Sequence, residues 1–263
     1  GQELIEIAKT NENFVVCNAD TKTCGLEKFG KLFPNREFSF GIAEQNLVGA
    51  SAGLAACGNK VFLATFAVFA SMRACEQVRT FVCYPNLNVT VIGTHAGLQV
   101  GGDGATHAAI EDVAIMRAFP NMTVVQPADA VAAKALAHAA VDFVGPLYVR
   151  LHRNPVAGLY DPDTYKFEWG KAHTVVDNGA DMTMIVSGIL LKKAVDAAAA
   201  LKEQGVNVRV LDMATIKPLD SEAVIKAAKE TGAIMTIEDH TIFGGLGSAV
   251  SEVVVQNCPV PME

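Results

Sequence analysis

The stretch GIAEQNLVGASAGLAACG places one carboxylate, Glu44, in the first turn of an otherwise apolar helix, with Gly49, Ala50, Ser51, Ala52 and Gly53 behind it. Such an acid is either an anion favoured by the helix dipole or a group held by desolvation for proton exchange with a bound molecule. For an isolated Glu the dipole reading is the simpler one. Two other segments carry chemistry as well. TFAVFASM sets Phe66 and Phe69 directly after an apolar run, and THAGLQVGGDGATHAAIED sets His95, Asp103 and His107 on one loop. A core His or a loop Asp is more often merely satisfied, and two His with an Asp could ligate a metal. On a loop freed by Gly97, Gly101, Gly102 and Gly104, however, they suit the rim of a site at the carboxyl edge of a parallel sheet. Asp20 follows the first strand-like run, and Arg150 ends the run LYVR, with Arg153 close behind.

Short Val- and Ile-rich runs alternate with Ala-rich amphipathic stretches, the pattern of strand–helix units building parallel sheets. FVV, KVFLATF, NVTVIG, MTVVQP and LYVRL are the strands of a first unit. Helices are expected over 43–57, 69–83, 108–119 and 129–143, each stopped by Gly or Pro. A Pro-, Gly- and Asp-rich stretch then precedes a second unit with strands DMTMIVSG, VNVRVLDM and AIMTIED and helices over 190–204, 220–229 and 247–256. The fold class is therefore α/β, two consecutive domains, each a mainly parallel sheet with flanking helices. The division reads 1–151, a linker over 152–172, and 173–263.

The 263 residues are 51% hydrophobic and 19% charged, which fits a packed globular protein. A formal net charge of -7 offers no polycationic face for nucleic acid, so anionic ligands must be met by locally placed basic groups. Apolar runs are too short to cross a bilayer and the first residues lack a signal-peptide pattern, so a cytoplasmic protein without membrane contact is expected. Six cysteines, Cys17, Cys24, Cys57, Cys75, Cys83 and Cys258, form no Cys-x-x-Cys pair and read as reduced core thiols. FGGLGSAV, at 243–250, lacks the G-x-G-x-x-G spacing of a dinucleotide site and reads as a structural turn.

Taken together and in order, the Glu44 motif, TFAVFASM, the His95–His107 loop, RAFPNMTVVQPADA, MATIKPLD and IEDHTIFGGLGSAVSE resemble the transketolase family, over nearly the whole chain. The resemblance implies a thiamine-diphosphate pyrimidine-binding domain followed by a transketolase C-terminal domain. It implies that Glu44 hydrogen-bonds the aminopyrimidine and favours its imino tautomer, which then removes the thiazolium proton. Phe66 and Phe69 match positions that stack on the pyrimidine, Asp20 a position near the cofactor, and Met72 stands where many relatives carry Tyr. His95 and His107 are expected to meet donor-ketose oxygens and take part in catalysis, Asp103 to meet substrate hydroxyls, and Arg150 to meet the substrate phosphate, with Arg153 as the competing alignment.

The Gly-Asp-Gly at 102–104 has no Asn at the distance of the family's metal motif, so no metal site is assigned to this chain. The resemblance then implies that the diphosphate and Mg2+ are held by a separate N-terminal pyrophosphate-binding subunit. It further implies two-carbon ketol transfer between sugar phosphates, as in the pentose phosphate pathway, and a homodimer or, with the partner, a heterotetramer. Alternatives are 1-deoxyxylulose-5-phosphate synthase, the beta subunit of a 2-oxo-acid dehydrogenase, and a non-catalytic assembly module. Both ends resemble points at which relatives continue, which suggests truncation.

Overall fold

A computed structural model describes residues 1–20 and 26–263; Cys24 lies outside them. The first sheet comprises β1 (Phe14–Asn18), β2 (Glu37–Ser39), β3 (Lys60–Phe66), β4 (Val89–Thr94), β5 (Thr123–Val125) and β6 (Leu147–Arg150). The second comprises β7 (His173–Asp177), β8 (Met182–Val186), β9 (Val208–Asp212) and β11 (Ile234–Ile237). Between β9 and β11 the chain leaves its own sheet. There β10 (Thr215–Lys217) pairs antiparallel with β5, giving a seven-stranded order β10-β5-β6-β4-β3-β1-β2. The other pairings in that sheet are parallel, and in the second sheet, of order β11-β8-β9-β7, only β7 runs antiparallel.

The unbroken apolarity of KVFLATF follows from burial on both faces. Val61 and Leu63 pack with the helix Glu44–Ala56 on one side, and Phe62 and Ala64 with the helices Gln2–Ala8 and Ala130–Asp142 on the other. The second sheet repeats the arrangement, with Ile185 and Leu211 facing one layer and Met184, Val186 and Val210 the other. The mainly parallel, two-domain α/β architecture is thus present. Beyond the strands expected from the pattern, β2, β7 and β10 also form.

One expected helix is built differently. The segment after Phe69 forms a π turn, Phe69–Arg73, a single α turn, Cys75–Gln77, and a second π turn, Val78–Cys83. In the first, the Ala74 N–H donates to the Phe69 carbonyl five residues back at 3.0 Å. Such insertions rotate side chains off the α-helical register and recur at functional sites. The expectation of uniformly core thiols is also corrected: Cys17 and Cys83 are buried, whereas Cys57 is exposed and Cys75 and Cys258 lie partway out.

Candidate active site

The carboxyl ends of four neighbouring strands converge on one edge of the first sheet. Asp20 follows β1, Glu44 opens the helix reached from β2, Phe66 and Phe69 end and follow β3, and His95 follows β4. All of these but His95 border a cavity of about 440 Å³, which Arg73 and His107 also line. Ligands gather at such an edge because the loops leave it freely while the strands hold their ends fixed. An apolar cavity of about 340 Å³ beside Phe62, Ile92 and Leu136 contains none of these residues.

Glu44 is 2% exposed. Its carboxylate does not cap its own helix; Oε2 accepts from Arg73 Nη1 at 2.8 Å. Arg73 in turn lies on Phe69, its guanidinium carbon 4.0 Å from the ring centroid. The rings form one cluster. Phe66 and Phe69 are nearly coplanar in orientation at 6.0 Å, His95 stacks on Phe66 at 4.2 Å, and His107 stands edge-on to Phe69 at 5.1 Å. Burial pushes the His95 imidazole below its ordinary pKa, with the nearby Arg153 adding to the effect and Asp103 opposing it, so the ring is neutral at pH 7. A backbone φ of +58° at His95 turns that ring back over Phe66, a conformation non-Gly residues enter only where surroundings compel it. His107 Nδ1 lies 2.9 Å from the Thr106 hydroxyl.

Asp103 and Arg153 are both partly exposed and pair at 2.7 Å, with Arg153 also donating to the Val100 carbonyl. Asp20 is exposed at the cavity mouth, its amide donating to Asn18 Oδ1 at 3.1 Å. Arg150, expected to meet a substrate phosphate, does not line this cavity. Its side chain is fully buried and bonds both Asp112 oxygens, at 2.9 and 3.1 Å, and the carbonyls of Ala109 and Asp239. Tyr148 donates a further 2.6 Å bond to Asp112. Its bond to the Asp239 carbonyl reaches the second domain, and its Nη1 is buried without a hydrogen-bond partner; of the competing arginines, only Arg153 reaches solvent. Arg73, Thr106 and Ile42 line the cavity without having been assigned to it from sequence. Arg73 had a signal in its position four residues after Phe69, on the same helical face. Among the described residues no group of three or more His, Cys, Asp or Glu is placed to hold a metal, and no helix is long and apolar enough to cross a membrane.

A flat heteroaromatic ring with a polar edge fits what surrounds this cavity: two Phe rings, a buried carboxylate and the imidazole of His107. Fold and cavity together define an α/β protein that holds such a ring at the carboxyl edge of its first sheet. Comparison with known proteins specifies the ring. Residues 1–157 match the transketolase pyrimidine binding domain and residues 170–262 the transketolase C-terminal domain. The chain is 45% identical over 98% of its length to a putative transketolase C-terminal section from Methanocaldococcus jannaschii, covering 81% of that protein. It is 42% identical to an apulose-4-phosphate transketolase subunit of Phocaeicola vulgatus, covering 98% of this chain and 83% of that one. Among solved structures, a split gene transketolase described as an inactive beta4 tetramer superposes with a TM-score of 0.91 at 44% identity, covering 99% of this chain and 85% of that one. The chain belongs to the transketolase family of thiamine-diphosphate enzymes, and its first domain is the family's pyrimidine binding domain.

Proposed function

We propose that this chain is the pyrimidine-binding subunit of a split transketolase. With thiamine diphosphate it moves a two-carbon ketol unit from a ketose phosphate to an aldose phosphate, and a separate pyrophosphate-binding subunit completes the site and holds Mg2+. The observation that carries this reading is the single cavity onto which Glu44, Phe66, Phe69 and His107 converge, with His95 stacked behind Phe66. The Phocaeicola relative is named as one subunit of a transketolase and the Methanocaldococcus relative as a C-terminal section, which supports the division between two polypeptides. The Phocaeicola name also specifies apulose-4-phosphate, so ketose phosphates as a class are assigned here rather than one pentose phosphate.

When bound, the cofactor supplies a thiazolium carbon that becomes nucleophilic on loss of its proton. Glu44 shares a proton with the ring nitrogen of the aminopyrimidine, and its burial excludes water that would compete for that bond. Phe66 and Phe69 hold the ring plane. His95, being neutral, can accept a hydrogen bond from a ketose hydroxyl as well as donate one, and His107 faces the same space from the other side of the rings. Asp103 meets substrate hydroxyls, and Arg153, paired to it, is the local cation that an anionic substrate terminus can reach. Asp20 borders the cofactor at the mouth. Two copies of the chain are expected to pair about a twofold axis within the assembled enzyme.

Calorimetric titration with thiamine diphosphate and Mg2+ tests the division of labour. Tight binding is expected only when the pyrophosphate-binding partner is present; tight, Mg2+-dependent binding to this chain alone overturns it. A 1-deoxyxylulose-5-phosphate synthase or 2-oxo-acid dehydrogenase reading has no observation in its favour that the transketolase reading lacks.

A further inference from the structure

Among the described residues, Arg73 is the one cation bonded to Glu44, and it engages only half of the carboxylate. Nη1 donates to Oε2 at 2.8 Å, while Oε1 makes no hydrogen bond to any described residue, and Glu44 lines the cavity. The π turn makes this possible. It places Arg73 across Phe69, guanidinium on ring at 4.0 Å, and leaves Met72 at the surface, 42% exposed. A guanidinium lying on an aromatic face has few orientations open to it, so the bond to Oε2 fixes the plane of the Glu44 carboxylate.

We infer that Arg73 is a positioning residue for the cofactor ring: it pins Oε2 of Glu44 so that Oε1 is aimed at the ring nitrogen of an aminopyrimidine. This rests on the reading that Glu44 meets that nitrogen. A carboxylate at 2% exposure with no counter-charge would turn toward water, and that would spoil a directed bond. Arg73 is half exposed, so it supplies the counter-charge without a second full desolvation. It also stands beside the aromatic wall where Met72, turned to the surface, contributes no ring.

The alternative is that Arg73 competes with the ring for Glu44. The two possibilities have opposite signs in a binding experiment on the full chain. The probes are 4-amino-5-hydroxymethyl-2-methylpyrimidine and its analogue with C–H in place of the ring nitrogen that faces Glu44, titrated by ligand-observed NMR. The native chain should prefer the first by about 10-fold or more, the scale of one hydrogen bond to a charged group. Arg73→Met should bring the preference close to parity by weakening only the first probe, and Arg73→Lys should restore part of it. If Arg73→Met fails to fold by circular dichroism, Arg73→Ser, too short to reach Oε2, takes its place. An undiminished preference in the folded variant, an equal weakening of both probes, or a gain in affinity overturns the positioning role while leaving the Glu44 reading intact. No preference in the native chain, or a preference that survives Glu44→Gln, removes the Glu44 reading and the role of Arg73 with it.

Discussion

Two arginine–carboxylate pairs in this molecule look alike on paper and do opposite work. In Arg150–Asp112 both side chains are fully buried, every Asp112 oxygen is used, Tyr148 and two carbonyls add further bonds, and the one group left over, Arg150 Nη1, is buried as well. In Arg73–Glu44 the acid is buried, the base is 47% exposed, and one carboxylate oxygen is uncommitted. The first pair is closed and joins the domains; the second is open and faces a cavity. An ion pair buried on both sides and away from the cavity can only support its surroundings, whereas one with a spare acceptor beside a cavity can bind.

Neutralising the open pair should affect chemistry most. In the enzyme assembled with its partner, Glu44→Gln is expected to slow removal of the thiazolium proton by about 100- to 10,000-fold, the usual range for a general acid–base group. Stability should change by about 1 kcal/mol or less, as for a group at a helix terminus. Hydrogen–deuterium exchange at the thiazolium carbon, followed by NMR, reads the rate directly; an unaltered rate would make Glu44 a structural anion like Asp112.

Breaking the closed pair should act on stability instead. Arg150→Met leaves the Asp112 carboxylate buried without its counter-charge, and loss of one partner from a buried pair costs about 3–5 kcal/mol. Denaturant unfolding measures it. A variant as stable as the native chain would show that the seam between the domains is held by other contacts, with Asp112 and Tyr148 dispensable.

The loop between the two pairs gives a smaller effect. Gly97 has φ +75°, and a Cβ there would overlap the Asp239 carboxylate, whose Oδ1 accepts from the Leu98 amide at 3.3 Å. Gly97→Ala is expected to cost about 1–3 kcal/mol, the scale of one strained backbone position. Local amide exchange around Leu98 should rise with it, since the C-terminal domain anchors the His95–His107 loop at this point. Unchanged exchange would uncouple the loop from that domain.

The sequence distinguished these regions only in part, for identifiable reasons. Strands such as KVFLATF and NVTVIG are legible because burial on both faces leaves long apolar runs. β2 and β10 are three residues each at the sheet's two edges, and β7 is a largely exposed edge of the second sheet, so none carries a sustained pattern. The burial of Arg150 has the same root. LYVR is buried at all four positions, so its Arg had to find a buried acid, but nothing in the spacing points to Asp112, 38 residues earlier. The cavity residues Glu44, Phe66, Phe69 and His107 were legible because their motifs follow strand ends. The π turn that brings Arg73 to Glu44 leaves no mark in composition or period.

The smallest effect concerns pH and separates two buried groups by sign. His152, buried behind the active-site loop, bonds the Ala96 carbonyl; burial, reinforced by the charge of Arg150, lowers its pKa from 6.5 to about 4. Its unfolded form takes up a proton near pH 6.5 and its native form only near 4, so acidification across that window removes stability. Asp212, at the end of β9, behaves in the opposite way. Burial raises its pKa from 3.8 to about 7, against the bond donated by Tyr160 at 2.7 Å, with Asp129 adding to the rise. Here the native form takes up the proton first, so acidification from pH 7 toward 4 adds stability. Each contributes a slope of at most about 1.4 kcal/mol per pH unit, and between pH 6.5 and 4 the two offset one another. Subtracting native unfolding free energies from those of single variants isolates each group. The Asp212→Asn difference should fall as pH is lowered through this window, and the His152→Gln difference should rise. Differences that are flat, or that slope the same way, would remove the claim that these two buried groups titrate against each other.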